Sequence, residues 1–260
     1  MGKLVLPKAF LIAETKVDYA AMDHALLSLG VDGWASDGAT DADVLTEFAG
    51  KSCYMSFDKS LNQNLTKVGG RSNEAYIQEG IIGNKHGSVL EHSSVTFFLT
   101  NVSRVVTHEL VRHRAGTAFS QTSGRYVRSN DVDMYLPDEL AMYPEVVAVF
   151  QRANEQMEDN LAELVKITGI DTMTDFGLKK RLTSAFRRIL GNGQANHLVM
   201  TANHRAWRHI IEMRTSVHAE EEIRVIMSDV ARQLKAKFPT IYADMSRNDV
   251  GEWVFAHSKV

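Results

Sequence analysis

The residue types best suited to chemistry lie close together between Thr107 and Tyr126, in the segment THELVRHRAGTAFSQTSGRY. Four cationic or imidazole side chains fall within seven positions of it: His108, Arg112, His113 and Arg114. A further cation, Arg125, follows four small hydroxyl residues: Thr117, Ser120, Thr122 and Ser123. Arginine binds phosphate and carboxylate groups through a planar fork of N–H donors, and small residues let a backbone approach an anion closely. The segment therefore predicts a phosphorylated or carboxylated ligand.

Composition narrows the class of protein. The chain has 260 residues, of which 44% are hydrophobic and 23% charged, as is usual for globular domains. A net charge of -3 gives no general basic field for nucleic acid, and the single cysteine, Cys53, excludes an intrachain disulfide. No apolar stretch approaches roughly 18 residues, and the N-terminus lacks a signal-peptide pattern. We expect a soluble cytoplasmic protein without a nucleic-acid or membrane partner.

Sequence patterns also predict the elements that position the cationic segment. Val95 to Leu99 is rich in β-branched and aromatic residues and predicts a strand. Asn101 or Ser103 is a candidate cap for a helix that follows, which would deliver the cationic cluster at its C-terminal end. Glu109 precedes Arg112 by three positions and would be its neighbour on that helix.

The remaining elements are predicted mainly as helices. Strands are predicted over Leu4 to Ala13 and Asn196 to Ala202, and helices over Tyr19 to Leu29, Asn73 to Asn84 and Lys179 to Leu190, and after Thr40, Pro144, Asn203 and Ser216. The buried stripe of the Pro144 helix is expected to be Val146, Phe150, Ala153, Met157, Leu161 and Leu164. Asn62 to Arg71 is polar and predicts a mobile loop. The predicted fold class is α+β, with one domain over residues 1–260 and a small, largely antiparallel sheet flanked by long helices.

Other polar residues admit plain structural interpretations when each is considered alone. His86, Glu91 and His92 have the side chains of a zinc site, but their spacing does not place all three on one helical face. Histidines such as His86 and His92 are more typical of surface or capping positions. The spacing of Arg205, Arg208 and Arg214 is more typical of a solvated helix face. Glu109 would pair with Arg112 or Arg104. Trp207, Ile210 and Ile211 are expected in the core, and Cys53 is more typical of a buried apolar position than of a nucleophile.

The order of the motifs resembles one family. Arg112-His113-Arg114, eight residues and then Ser123-Gly124-Arg125-Tyr126 resembles the signature of the flavin-dependent thymidylate synthases. In that family Arg-His-Arg is followed after seven or sometimes eight residues by Ser, usually with x-Arg-Tyr after it. The extra residue here must be absorbed near Ala115 to Phe119.

Three further segments extend the resemblance from about residue 40 to near the C-terminus. His86-Gly87-Ser88-Val89-Leu90-Glu91-His92 is similar to the family's upstream flavin segment. Asn203-His204-Arg205-Ala206-Trp207-Arg208, with Arg214 eleven residues after Asn203, is similar to its downstream segment. Arg187-Arg188-Ile189-Leu190 resembles Arg-x-Val-Leu-Pro, with Gly191 where proline is usual.

The resemblance implies a reaction and a set of ligands. Family members convert dUMP to dTMP with methylenetetrahydrofolate as the methylene donor, FAD as the cofactor and NADPH as the reductant, and they are homotetramers. It implies dUMP contacts at Glu109, Arg112, Gln121, Ser123, Arg125, Arg187 and Arg214, with Ser123 and Arg214 catalytic. It implies FAD contacts at His86, Ser88, Glu91, Arg112, His113, Arg114, Asn203, Arg205 and His209.

Two alternatives remain open at this point. A nucleotide-binding or regulatory module would keep the phosphate contacts without turnover, and a colourless protein that binds dUMP would identify it. A helical protein with a histidine–carboxylate metal site would be identified by metal analysis.

Overall fold

The computed structural model describes residues 2–57, 71–127 and 131–260. Its elements, in chain order, are β1 (Lys8–Glu14), α1 (Tyr19–Ser28), α2 (Asp41–Tyr54), α3 (Asn73–Ala75) continued by a π-helix (Tyr76–Ile82), a 3₁₀-helix (Gly87–Glu91), β2 (Ser94–Ser103), α4 (Arg104–Leu110), β3 (Thr117–Gln121), α5 (Asp138–Ala141), α6 (Pro144–Thr168), α7 (Phe176–Phe186), a second 3₁₀-helix (Arg187–Ile189), β4 (Ala195–Asn203), α8 (His204–Arg214), α9 (Glu221–Lys237), β5 (Met245–Arg247) and β6 (Trp253–Phe255).

Four of the strands form one antiparallel sheet in the order β1-β2-β4-β3. The inner strand β2 alternates, so that Val95, Phe97 and Leu99 are fully buried on one face. β5 and β6 form a separate antiparallel pair. The α+β class with a small antiparallel sheet is therefore confirmed, as are the strands predicted near Val95 and Asn196.

The core lies where α8 and α9 pack on this sheet. Trp207 is completely buried, its ring centroid lies 5.3 Å from that of Phe97, and its Nε1 donates to the Val95 carbonyl oxygen at 3.1 Å. Burial of a large apolar side chain of this kind stabilises the fold by roughly 1.5–3 kcal/mol. Ile210 and Ile211 are buried beside it, so the predicted core face of α8 is confirmed.

Two capped helices leave opposite ends of the β2–β4 pair. Ser103 Oγ accepts from the Val106 N–H at 3.3 Å and begins α4, whereas Asn203 Oδ1 accepts from the Ala206 N–H at 2.8 Å and begins α8. In the antiparallel register Ser94 pairs with Asn203, so the two caps lie at different ends of the sheet. Each satisfies a free N–H of its helix, and both helices then pass over the same core.

The long helix α6 differs from its prediction. Its apolar stripe was expected to be buried, yet Phe150 is 37% exposed, and Asn154 is the buried residue of this helix among the described residues. The prediction was wrong because a helical stripe shows that a face needs cover, without showing that this chain supplies it.

Other boundaries also differ. Helix α9 begins at Glu221 rather than near Ser216, and Glu220 caps it by accepting from the Glu222 and Ile223 N–H groups. β3 and the β5–β6 pair were not predicted. The predicted loop Asn62 to Arg71 lies outside the described residues except for its last residue. Within the described part of the chain, no helix combines the length and apolar character needed to cross a membrane.

Candidate functional site

The Arg-His-Arg residues lie in the turn between α4 and β3, which docks against the start of α8. Gly116 in this turn has φ +67, and a Cβ there would lie 2.4 Å from Asn203 Nδ2. Its carbonyl oxygen accepts from the Asn203 N–H at 3.0 Å. The positive φ and the close approach of Asn203 both require glycine at position 116. The hydrogen bond fixes the turn to the cap of α8.

Arg214, the last residue of α8, joins the two segments. Its Nη1 lies 2.6 Å from Glu109 Oε2, its Nη2 donates to the Glu109 carbonyl oxygen at 3.3 Å, and its Nε donates to His113 Nε2 at 2.8 Å. Glu109 therefore pairs with Arg214, not with Arg112 or Arg104 as its sequence position suggested. Arginine has five N–H donors, so two of those of Arg214 remain for a ligand while its plane is held from two sides.

His113 is neutral in this arrangement. Because a guanidinium only donates, His113 Nε2 must accept from it, which leaves the ring proton on Nδ1. Burial first, and then the charges of Arg214 and His209, lower the pKa of His113 to about 4. The ring of His209 stands at 73° to that of His113, with centroids 5.9 Å apart.

Predicted flavin-side residues surround two neighbouring cavities. Seven of the nine line a cavity of about 390 Å³, here called the arginine cavity: Glu91, Arg112, His113, Arg114, Asn203, Arg205 and His209. The other two, His86 and Ser88, line a cavity of about 560 Å³, here called the His86 cavity, whose wall Arg205 shares.

The two cavities suit an elongated anionic cofactor such as FAD. Arg112 and Arg114 in one cavity and Arg205 between the two supply charge for a pyrophosphate. The backbone at Gly87 packs so closely that a Cβ there would lie 2.1 Å from the Val260 carbonyl carbon and 3.1 Å from Arg205 Nε. Glycine at position 87 therefore leaves room for Arg205, whose Nε donates to the Val260 carbonyl oxygen at 3.3 Å. Arg205 Nη1 also pairs with Glu91 Oε1 at 2.5 Å.

Residues predicted to contact the nucleotide substrate are divided between two places in one chain. Arg112, Glu109 and Arg214 belong to the region of the arginine cavity. Arg125 and Arg187 instead line a surface groove of about 580 Å³. The remaining two lie on and just after β3: Gln121 Nε2 donates to Thr107 Oγ1 at 3.3 Å, and Ser123 Oγ accepts from the Arg125 N–H at 3.3 Å.

Arg104 lies beside Arg187, although the sequence suggested it only as a possible partner of Glu109. A Cβ at Gly124 would lie 3.7 Å from Arg104 Nη2 and 3.6 Å from Arg187 Cδ, and all three residues line a second cavity of about 390 Å³. The spacing of Arg104, His108 and Arg112 on one helix face was the available signal, but it did not show which arginine would meet Arg187.

The metal alternative receives no support where the chain is described. There, no three histidine, cysteine, aspartate or glutamate side chains are grouped so as to hold a metal ion.

Cys53 is exposed and lines the His86 cavity, so the expectation that it is buried was wrong. Arg208 is also unlike its prediction, because it is buried and paired with Asp244 rather than solvated.

Together these features define an α+β protein whose arginine-rich cavities suit phosphorylated ligands. The family model described as "Thymidylate synthase complementing protein" matches residues 37–240. The flavin-dependent thymidylate synthase of Mycobacteroides abscessus is 39% identical over 214 residues, covering 80% of this chain and 82% of that one. The same enzyme of Mycolicibacterium gilvum is 39% identical over 212 residues, covering 79% and 82%. The chain belongs to the flavin-dependent thymidylate synthase family.

Two solved structures share the fold. The thymidylate synthase X of Helicobacter pylori, solved with FAD and dUMP, gives a TM-score of 0.59 at 18% identity over 92% of this chain and 98% of that one. A UMP/dUMP methylase of Streptomyces cacaoi, bound with 5-Br dUMP, gives a TM-score of 0.62 at 17% identity and covers 94% of this chain and 96% of that one. The predictions of an FAD-dependent thymidylate synthase and of FAD as its cofactor are confirmed by the family.

Proposed function

We propose that this enzyme methylates dUMP to dTMP, with methylenetetrahydrofolate as methylene donor and NADPH as the source of the hydride. The observation that carries the proposal is the grouping of the predicted flavin-side residues around two cavities that share Arg205. When bound, FAD supplies the redox chemistry, and the protein supplies placement and charge.

The flavin contacts are proposed at the nine residues around the two cavities. Arg112, Arg114 and Arg205 would neutralise the pyrophosphate, because guanidinium groups bind phosphate through paired N–H donors. His113 would face the cofactor as a neutral ring, with its Nδ1–H free to donate. His209 would add a polar contact from α8, and Asn203 one from the cap of that helix. His86, Ser88 and Glu91 would add contacts from the 3₁₀-helix and the residue before it.

The substrate contacts are proposed at Glu109, Arg112, Gln121, Ser123, Arg125, Arg187 and Arg214. Arg125 and Arg187 would hold the phosphate. Arg214 would donate its two remaining N–H groups to the uracil, since its plane is already fixed by Glu109 and His113. Fixed donors aimed at developing negative charge lower a barrier without reorganisation. Ser123 would orient and polarise the ring rather than attack it. C5 of uracil would attack the methylene carbon, whose bond to the folate nitrogen breaks, without a covalent bond to the protein.

We propose further that the active enzyme is a homotetramer whose sites combine residues of several subunits. Two features support this: the division of the substrate residues between two places in one chain, and the apolar face of α6, which is only partly covered. Light scattering should give about four times 29.0 kDa. An active monomer would contradict the proposal. The whole chain would act as one domain, and the enzyme would be cytoplasmic.

A flavin spectrum tests the proposed reaction. The purified protein should be yellow, should be bleached by NADPH, and should change its spectrum when dUMP is added, because the substrate would lie beside the flavin. Formation of dTMP should require methylenetetrahydrofolate. A colourless protein that binds dUMP without turnover would instead identify a nucleotide-binding module.

A further inference from the structure

A cluster of cations without carboxylate partners lies at the end of α7. Arg125, Lys180, Arg181, Arg187 and Arg188 line the surface groove of about 580 Å³, here called the basic groove. None of the five forms an ion pair with any residue of the described ranges. The net charge of the chain is -3, so this local excess is not part of a generally basic surface.

Helical spacing brings these cations together. Gly177, Lys180, Arg181 and Ser184 fall at positions i, i+3, i+4 and i+7 of one α7 face, which lines the groove. The 3₁₀-helix that follows α7 adds Arg187.

Lys180 is also tied to the sequence motif that contains Arg125. Its Nζ lies 4.6 Å from the ring centroid of Tyr126, and its ammonium group lowers the pKa of the Tyr126 hydroxyl. This contact joins α7 to the residue that follows Arg125, and Lys180 and Arg125 both line the groove.

The number of charges exceeds what one monophosphate needs. A phosphate monoester carries about -1.5 to -2 charges at neutral pH, which Arg125 and Arg187 alone can match. Lys180, Arg181 and Arg188 then remain beside it without a carboxylate partner among the described residues and without a share in the proposed dUMP contacts. Repulsion among five exposed cations is partly screened by solvent, and an anion of higher charge in the groove would reduce it further.

We propose that the basic groove has an outer phosphate subsite, formed by Lys180 and Arg181 with Arg188 beside them, which binds the second phosphate of a pyrimidine deoxynucleoside di- or triphosphate. This inference rests on the proposed placement of the dUMP phosphate at Arg125 and Arg187. Such polyphosphates compete with dUMP, so the groove couples the enzyme to the pool of more highly phosphorylated nucleotides.

Competition binding tests the subsite in the flavin-loaded protein. We expect dUDP to bind about tenfold more tightly than dUMP to the unaltered enzyme, because two further charge-assisted contacts form at an exposed site. The double variant Lys180→Met, Arg181→Met should reduce this advantage to less than about threefold while its dUMP affinity stays nearly unchanged.

Two controls separate the subsite from general electrostatics and from free phosphate. Lys179 lies on the same helix but does not line the groove, so Lys179→Met removes a nearby charge and should keep the dUDP advantage. Inorganic pyrophosphate, tested alone, should bind more weakly than dUDP because it lacks the nucleoside contacts.

The outcomes are distinct. Equal affinities for dUMP and dUDP overturn the outer subsite and leave the proposed function intact. An advantage that survives in the double variant, or is lost equally in Lys179→Met, also overturns it. Pyrophosphate that binds as tightly as dUDP shows a separate anion site and overturns the nucleotide assignment. No dUMP binding to the unaltered enzyme contradicts the proposed function itself.

Discussion

Helix α8 and the basic groove contain the same kinds of cation in opposite electrostatic settings. On α8, Arg205 pairs with Glu91, Arg208 with Asp244 and Arg214 with Glu109. The basic groove has no such pair among the described residues. Cations with partners have orientations set before a ligand arrives, whereas cations without partners attract an anion and are ordered by it.

Burial separates the roles of the arginines within α8. The exposed fraction of the side chain rises from 3% at Arg208 to 18% at Arg214 and 43% at Arg205. A buried ion pair stabilises the fold only while both members are present, and Arg208 cannot reach a ligand. Arg205 and Arg214 keep part of their surface for one. Replacing an arginine is therefore expected to reduce stability most in the buried part of α8 and least in the basic groove.

The largest effect is expected on stability. Arg208→Met should lower the free energy of unfolding by about 3–5 kcal/mol, because Asp244 would stay buried without its partner. Urea unfolding of the two proteins measures the difference. Arg188→Met, which removes an exposed cation of the basic groove, should cost less than about 0.5 kcal/mol. Equal losses would remove the distinction between the two regions.

The next effect is on ligand binding. Arg214→Ala should weaken dUMP by at least about tenfold, because a charge-assisted hydrogen bond contributes about 1.5–3 kcal/mol, while FAD stays bound with a nearly unchanged spectrum. Arg205→Ala should do the reverse and release flavin first. Titration of each variant with both ligands measures this, with Arg232→Ala, an exposed arginine elsewhere, as control. Loss of FAD from Arg214→Ala with normal dUMP binding would invert the proposed assignment of α8.

A smaller effect should depend on pH. The pKa of His113 falls from 6.5 to about 4 on folding, so between these values the unfolded chain binds more protons. Stability from this group is therefore complete above pH 6.5 and is lost as the pH falls towards 4. Since His113 is only half-buried, solvent screening reduces the expected loss to about 1–2 kcal/mol.

The matched variant for this prediction is His113→Gln, whose amide oxygen can still accept from Arg214. Urea midpoints at pH 7 and pH 5 should differ less for the variant than for the unaltered protein. Burial also lowers the pKa of His204, to about 3. Its contribution to the free energy of unfolding therefore also falls as the pH is lowered, and by the same amount in both proteins. An identical pH dependence of the two would exclude His113 as the source.

The smallest effect is expected at Cys53. Its thiol is exposed beside the His86 cavity and has no part in the proposed reaction. Cys53→Ala should therefore retain most activity, with any change in stability within about 0.5 kcal/mol. Steady-state rates of the flavin-loaded variant measure this, and mass spectrometry should find no covalent protein–uracil species. Loss of turnover in a folded, flavin-loaded variant would contradict the mechanism proposed for Ser123 and Arg214.

Some helix caps and strands could be predicted from the sequence. Local signals identified the caps Thr40 and Asn203, because a side-chain oxygen acts on N–H groups only two or three residues away. Short runs of β-branched, aromatic or aliphatic residues identified β2 and β4, since such composition is a local property of the sequence. Strand β3 was missed because its residues belong to the motif segment, whose hydroxyl and cationic side chains concealed a five-residue edge strand.

The sequence by itself determined the family, the order of the motifs and the residue types that can bind phosphate. The tertiary structure alone decided the partners of those residues: Glu109 meets Arg214 across 105 positions, and Arg208 meets Asp244 inside the core. It also decided that the apolar face of α6 is only partly covered in this chain and that Lys180 joins Arg125 in one groove. The physical reason is that caps and helical spacing act over a few residues, whereas pairing and burial depend on segments that meet only after the chain has folded.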